Sequence, residues 1–148
     1  MDLIKKIDED LKNAMRKKDK FRLNVLRSLK SAVKYEVIEA GKQLNEEDIF
    51  TVLQKQIKSR LQAIEMYEKG GRTELAENEK AEVAIISKYM PEPLTEAEIT
   101  DLVEAAISEL QAKSMKDMGS VMGALKSKVG SRVDGKILSQ IVRNKLSQ

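Results

Sequence analysis

Apolar residues recur every three or four positions through most of the chain, with polar residues between them. This period places the apolar side chains along one face of a helix, whereas a strand would need strict alternation. The pattern therefore predicts a series of amphipathic helices joined by short polar segments. Their expected N-caps or first residues are Asp2, Asp19, Asn45, Thr73, Thr95, Ser114 and Asp134.

Residues that favour helix ends stand at the borders of these segments. Asn45 can cap the helix after it, and the acidic residues that follow suit the positive end of the helix dipole. Thr95 and Glu98 match a capping box. Gly41 is placed to take the left-handed conformation that ends many helices.

The only two prolines of the chain are Pro91 and Pro93. Proline fixes its own backbone and disfavours a helical conformation in the residue before it, so this segment predicts a stiff joint. We expect an N-terminal helical domain over residues 1–90, built as a hairpin array or bundle. A small three-helix C-terminal domain is expected over residues 91–148.

The composition agrees with helices and excludes several kinds of chemistry. Apolar residues make up 41% of the chain, charged residues 34% and aromatic residues 3%, which is typical of an all-α protein. Cysteine and histidine are absent, which excludes disulfides, cysteine nucleophiles and Ser-His-Asp triads. Carboxylate pairs such as Glu79 and Glu82 are typical of a helix surface. We predict no catalytic residue, no metal site and no cofactor.

The lengths of the apolar segments predict where in the cell the protein lies. The N-terminal residues lack the apolar core of a signal peptide. The longest apolar run, residues 83–86, is far shorter than a membrane span. A soluble cytoplasmic protein without a membrane partner is expected.

The net charge of +3 is small, but basic residues gather in two zones. Residues 12–34 contain one acid, Asp19, and the residues after Leu110 contain only Asp117 and Asp134. Such zones are typical of nucleic-acid binders, and they are also compatible with a solvated helix surface. The same two alternatives apply to the basic face of the second helix, which carries Arg22, Arg27, Lys30 and Lys34.

Between Ser114 and Gly135, two glycines lie four residues apart, at Gly119 and Gly123. Each costs up to about 1 kcal/mol relative to alanine inside a helix, so a compensating contact is expected. That contact is either close packing of another helix or close approach of an RNA backbone. Nearby methionines at helical spacing indicate adaptable core packing or, alternatively, a binding groove; they are Met115, Met118 and Met122.

The segments Tyr89–Leu94, Asp117–Gly123 and Asp134–Gly135 together resemble the GatB/YqeY family, and the chain is similar to its stand-alone YqeY type over essentially all 148 residues. The resemblance implies a C-terminal domain similar to the tail of the B subunit of glutamine-dependent tRNA amidotransferase. There the tail binds tRNA, while other domains carry out the carbon–nitrogen ligase reaction with glutamine as amide donor. Similar domains are appended to some glutaminyl-tRNA synthetases.

The resemblance and the basic C-terminal zone together select a set of candidate contacts. This chain departs from the family at Ser120, where a lysine is common, which weakens any phosphate contact there. The expected nucleic-acid contacts are Lys116, Gly119, Ser120, Gly123, Lys126, Lys128, Arg132, Gly135 and Lys136.

Three functions remain open from the sequence. The first is a non-catalytic module that binds tRNA or assists tRNA-dependent amidation, beside an amidotransferase or an aminoacyl-tRNA synthetase. The second is glutamine-dependent amidotransferase activity of the chain itself, for which no glutaminase site or ATP loop is visible. The third is a protein–protein adaptor that docks through its methionine-rich helix. No DNA partner is expected.

Overall fold

The computed structural model describes residues 2–148. Within them it contains seven α-helices, two short 3-10 turns and no strand, so the predicted all-α class is confirmed. The helices are α1 (Leu3–Arg16), α2 (Lys20–Ala40), α3 (Glu46–Lys69), α4 (Thr73–Ser87), α5 (Glu96–Leu110), α6 (Met118–Val129) and α7 (Gly135–Leu146). The 3-10 turns are Met115–Asp117 and Gly130–Arg132, on either side of α6.

The chain divides into two compact units, of which the first ends at Met90 and the second is Pro91–Gln148. The first unit contains α1 to α4 and the second contains α5 to α7. Each unit has its own cluster of buried apolar side chains.

In the first unit, α2 is central because it contacts α1, α3 and α4. Its residues Leu26 and Leu29 are fully buried, and Leu53 of α3 is buried with them. Burying each such side chain stabilises the fold by about 1.5–3 kcal/mol. The α3–α4 pair forms the most extensive helix contact of the chain.

A half-buried arginine joins three helices of this unit. The guanidinium of Arg60 on α3 donates to Glu82 of α4 at 3.3 Å and to the Ser28 hydroxyl of α2 at 3.2 Å. Glu79 lies 3.9 Å from the same guanidinium. Glu79 and Glu82 are therefore anchors for Arg60, and the prediction that they are ordinary surface acids is wrong. Burial, and next the hydrogen bond with Glu82, raises the pKa of Glu79.

Tyr89 secures the end of the first unit. Its ring is buried, its hydroxyl donates a hydrogen bond to the Asp10 carboxylate, and the ammonium of Lys6 lies 5.7 Å from the ring centroid. Burial, and next the bond to Asp10, raises the pKa of Tyr89, so the phenol stays protonated and remains a donor. The chain is thus fixed to α1 immediately before Met90 and the prolines.

In the second unit, each of α5, α6 and α7 contacts the other two. Val103, Val121 and Val142, one from each helix, are fully buried. The predicted capping box at the start of α5 is confirmed, because the side chains of Thr95 and Glu98 each bind the other residue's backbone N–H. Three helices in mutual contact can enclose a core that no pair of them could.

Some local predictions are wrong at the level of single residues. Helix α4 begins at Thr73 itself, with Arg72 as a cap that makes no side-chain hydrogen bond. Ser114 caps the 3-10 turn before α6, and α6 follows that turn. Several apolar side chains expected on buried faces are exposed, because the apolar stripes are wider than the surfaces that neighbouring helices cover. These residues, which the helical period places on the predicted apolar faces, are Phe21, Leu61, Leu75, Leu110 and Ile137.

Candidate nucleic-acid interface

The start of α6 is fixed by a carboxylate that accepts backbone hydrogen bonds. Asp117 accepts from the N–H of Lys113 at 2.8 Å and from the N–H of Ser114 at 3.3 Å. These two bonds favour the charged carboxylate and lower the pKa of Asp117. These bonds therefore fix the conformation of the turn before α6. The side chains of Met115 and Lys116 in this turn remain exposed.

The inner face of α6 packs on the core of the second unit. Val121, Leu125 and Val129 are buried there. Met118 and Met122 are partly buried against the same cluster, so the prediction of adaptable core packing is confirmed for both. Met115, in the preceding turn, is 43% exposed.

The outer face of α6 is bare backbone at two positions. Gly119 and Gly123 are both exposed, and a Cβ atom added to either would meet no heavy atom within 4 Å beyond the neighbouring backbone of the helix. The alternative in which another helix packs closely on them is therefore wrong within the described residues. The helix-propensity cost of the pair, up to about 2 kcal/mol, has no compensating contact there.

Small polar and basic residues surround these glycines. Ser120 is exposed beside Gly119, and the Ser127 hydroxyl donates to the carbonyl of Gly123 at 3.4 Å. Lys116 and Lys126 are exposed, and neither forms an ion pair with any residue in 2–148. The outer face of α6 thus combines a flat backbone with two unpaired cations.

Two other residues predicted to contact nucleic acid have partners within the second unit. The Lys128 ammonium lies 3.7 Å from a carboxylate oxygen of Glu109. The Arg132 guanidinium donates to the carbonyls of Lys128 at 2.9 Å and Val129 at 3.4 Å, so it caps the C-terminal end of α6. The positions of both side chains are set by these internal partners.

The remaining two predicted contacts lie at the start of α7. The Asp134 carboxylate accepts from the N–H of Lys136 at 2.8 Å, which confirms its predicted role as N-cap. An added Cβ at Gly135 would meet nothing within 4 Å. An open depression of about 510 Å³ extends from this point along α7, lined by Gly135, Lys136, Ser139, Gln140, Arg143 and Asn144.

The depression contains four residues that the sequence reasoning left out of the site: Ser139, Gln140, Arg143 and Asn144. The sequence does contain a signal for them, because polar residues recur every four positions, at 136, 140 and 144 and at 139 and 143, which places them on one side of the helix. Nine residues are predicted to contact RNA. Within the described chain, one side-chain hydrogen bond joins two of them, from the Arg132 guanidinium to the Lys128 carbonyl. All nine predicted contacts are exposed.

The described residues contain no group of three or more acidic side chains placed to hold a metal ion. In the same part of the chain, none of the helices combines the length and the apolar character that crossing a bilayer requires.

Comparison with known proteins gives matches along almost the whole chain. The family described as Yqey-like protein matches residues 4–146. A protein of Pyrenophora tritici-repentis named "Altered inheritance of mitochondria protein 41, mitochondrial" is 33% identical, over 95% of this chain and 79% of its own length. The protein of that name from Lachancea thermotolerans is 36% identical, over 75% of this chain and 61% of its own length.

These comparisons contradict one prediction and confirm another. The expectation of a cytoplasmic protein is contradicted, because the relatives from both organisms are named as mitochondrial proteins. The predicted resemblance to the stand-alone YqeY type is confirmed by the family match, which leaves out only the first three and last two residues. The chain therefore belongs to the YqeY-like family.

Proposed function

We propose that the chain is a non-catalytic RNA-binding module whose second unit holds tRNA on the outer face of α6. The observation that carries this proposal is the open backbone at Gly119 and Gly123. Two glycines inside an exposed helix reduce its stability, and no contact within the described chain offsets that loss. A ligand that approaches the bare backbone closely would offset it.

The cations beside the glycines favour a polyanion as that ligand. Lys116, Lys126 and Lys136 are exposed, and none is in an ion pair with another described residue. Lysine at such positions binds phosphates largely by releasing condensed counterions, which makes the affinity strongly dependent on salt. The resemblance to the tail of the amidotransferase B subunit favours tRNA among the possible RNAs.

The second unit is suited to double-helical RNA because it contains no aromatic residue. All phenylalanines and tyrosines of the chain precede residue 90, and tryptophan is absent. Without aromatic rings the unit cannot stack unpaired bases on them. It can contact phosphates and 2′-hydroxyls of the paired arms of tRNA, which are recognised mainly by shape.

Filter binding of tRNA over a salt series tests the proposal. Glutamine in place of Lys116, Lys126 and Lys136 should reduce the slope of log affinity against log salt by about 2–3, since each phosphate contact contributes roughly 0.7–0.9. A control variant loses three exposed cations of the first unit, by Lys5→Gln, Lys55→Gln and Lys88→Gln, and should keep the wild-type slope. Absence of tRNA binding by the wild-type chain at low salt would refute the proposal.

The non-catalytic part of the proposal needs a separate measurement. The purified chain is incubated with glutamine, ATP and misacylated tRNA, and ammonia release is followed. We expect none above the rate without protein, because the described residues show no nucleophile held beside a base. Release that depends on the chain would contradict this part and favour amidotransferase activity.

A further inference from the structure

We propose that the outward face of α2, in the first unit, binds a single-stranded RNA segment, with its cations on the phosphates and the Tyr35 ring stacked on a base. The inference shares the ligand class with the proposed function, but it concerns another surface and another form of RNA. The outward face of α2 consists of Lys20, Asn24, Arg27, Ser31, Lys34, Tyr35 and Ile38, all of them exposed.

The spacing of these residues makes the face continuous. Lys20, Arg27 and Lys34 recur every seven residues, which is about two helical turns or roughly 10 Å. At 100° per residue all seven side chains fall within about 100° of the helix circumference. The face extends over roughly 27 Å, the rise of 18 helical residues. That length can accommodate several nucleotides of an extended strand.

The face carries unpaired positive charge and no acid. None of Lys20, Arg27 and Lys34 forms an ion pair within residues 2–148. The other two cations of the strip predicted from the sequence are paired, Arg22 with Asp19 at 3.6 Å and Lys30 with Asp8 at 2.6 Å. Two cations of α2 are therefore paired with acids, whereas the three on its outward face are not.

Some exposed lysines on other helices of the same unit are paired with acids. Lys80 of α4 lies within 3.2 Å of carboxylate oxygens of both Glu68 and Glu77, and Lys69 of α3 lies 3.0 Å from Glu65. An ordinary solvated helix surface mixes charges in this way. The outward face of α2 departs from that pattern, because its seven residues include three cations and no acid, although the exposed Glu39 borders its C-terminal end. Its charge is complementary to a phosphate backbone.

The aromatic ring indicates unpaired bases. Tyr35 is 64% exposed, whereas Tyr89 is buried and Tyr67 is partly buried. Beside it Ile38 is 68% exposed, so the ring and the aliphatic chain form an apolar platform next to Lys34. Bases stack on exposed aromatic rings in single-stranded nucleic acids, where the strand leaves their faces free.

An anionic membrane surface fits this face less well than RNA does. A helix that lies in a membrane interface needs an apolar stripe along its length. Here the large apolar side chains, Tyr35 and Ile38, lie at one end, and the middle of the face presents the polar groups of Asn24 and Ser31. Amide and hydroxyl groups can form hydrogen bonds with phosphates and base edges.

The first test measures binding of a fluorescent uridine 12-mer to the full chain by anisotropy at low salt. Changing Lys20→Gln, Arg27→Gln and Lys34→Gln together should weaken binding by about tenfold or more and reduce the salt slope by about 2, at roughly 0.7 for each contact. The matched control removes the same charge at Lys5, Lys55 and Lys88 and should change affinity by less than about threefold. Equal losses in both variants, or no binding by the wild type, would overturn the inference.

The second test uses the absence of tryptophan from the chain. In a Tyr35→Trp variant the introduced indole is the sole tryptophan reporter, and stacking of uracil should quench its fluorescence as the 12-mer is added. The control is Met66→Trp, at a position that is 73% exposed on α3, and its emission should change little. Quenching at position 66 alone would overturn the inference.

These tests separate this inference from the proposed function. If the uridine 12-mer binds through α2 but tRNA binds nowhere, the inference stands and the proposed function fails. If Lys116, Lys126 and Lys136 are changed to glutamine and the 12-mer binds as before, the surface on α2 is supported. Binding of phosphatidylglycerol vesicles through α2, with no 12-mer binding, would replace RNA by a membrane as occupant and overturn the inference.

Discussion

Replacing Gly119 and Gly123 by alanine should stabilise the second unit and weaken tRNA binding at the same time. Both positions are exposed on α6, and an added Cβ meets no heavy atom within 4 Å beyond the adjacent helix backbone. Neither glycine has the positive φ that would strain an alanine. The substitution therefore adds helix propensity without a clash inside the chain.

The size of the stability gain follows from helix propensity. Alanine is favoured over glycine in a helix interior by about 0.5–1 kcal/mol. Gly123 lies inside α6 and Gly119 lies in its first turn, so the pair should add about 1 kcal/mol. For a unit of roughly 60 residues, 1 kcal/mol raises Tm by about 4–8 °C. Thermal unfolding followed by circular dichroism should show the second unit melting several degrees higher in the double variant.

The effect on binding should have the opposite sign. Each methyl group would hold a phosphate or ribose away from the backbone of α6, and we expect the affinity for tRNA to fall by about tenfold or more, which is about 1.4 kcal/mol. Ser108→Ala, on α5, is the control because it raises helix propensity without adding atoms and lies outside the proposed contact face. It should leave tRNA affinity within about twofold.

Two results would refute this reasoning. A double variant that melts higher but binds tRNA as tightly as the wild type would show that the glycine face is not the RNA contact. A double variant that melts lower would show that the space around these glycines is filled in solution. Only the combination of higher stability and weaker binding agrees with the structure and with the proposed function together.

Three further predictions concern polar groups that support the fold. Arg60→Met should lower the free energy of unfolding by about 2–3 kcal/mol in urea titrations, because it leaves two half-buried carboxylates without their cation. Glu79→Gln should leave Tm at pH 7 unchanged or higher. Because the folded pKa of Glu79 is raised, wild-type stability should increase as pH falls from neutral towards 4.5, and melts over that range should show that the variant lacks this increase. Asp117→Asn should lower Tm at pH 7; because the folded pKa of Asp117 is lowered, the difference should shrink as melts are repeated below pH 3.8, and a constant difference would contradict the role given to its charge.

Helix positions could be predicted from the sequence because the signals are local. The period of apolar residues and the caps at Asp19, Asn45 and Thr95 act within a few residues, and the structure confirms each of these caps. The left-handed Gly41 at the end of α2 is confirmed for the same reason, with a φ of 66°.

The network around Arg60 could not be predicted because it depends on distant pairs. Ser28 and Glu82 lie 32 and 22 residues away along the chain, and only the packing of α2, α3 and α4 brings them to one guanidinium. The same limit explains the exposed apolar residues. Leu61 has the correct helical spacing for burial, but whether a neighbouring helix covers it depends on where the other helices lie.

The glycine pair shows how a pattern can be recognised while its meaning stays open. Spacing alone is compatible with helix packing and with ligand approach, since both need a surface without side chains. The choice between them requires knowing what lies within 4 Å of Gly119 and Gly123, which is a property of the folded unit.

Under the proposed function, the acidic helix α5 would limit how RNA approaches the second unit. It contains five acidic residues and no basic residue, and it packs against both α6 and α7. Lys128 and Lys145 form ion pairs with Glu109 and Glu104 of α5, so the charges of these two lysines are balanced by acids of this helix. Lys126 on α6 and Lys136 on α7 form no ion pair with another described residue. Because the net charge of +3 is small, the proposed tRNA binding by the second unit would depend on this separation of charges, which favours an approach of the RNA backbone to α6 and α7 over α5.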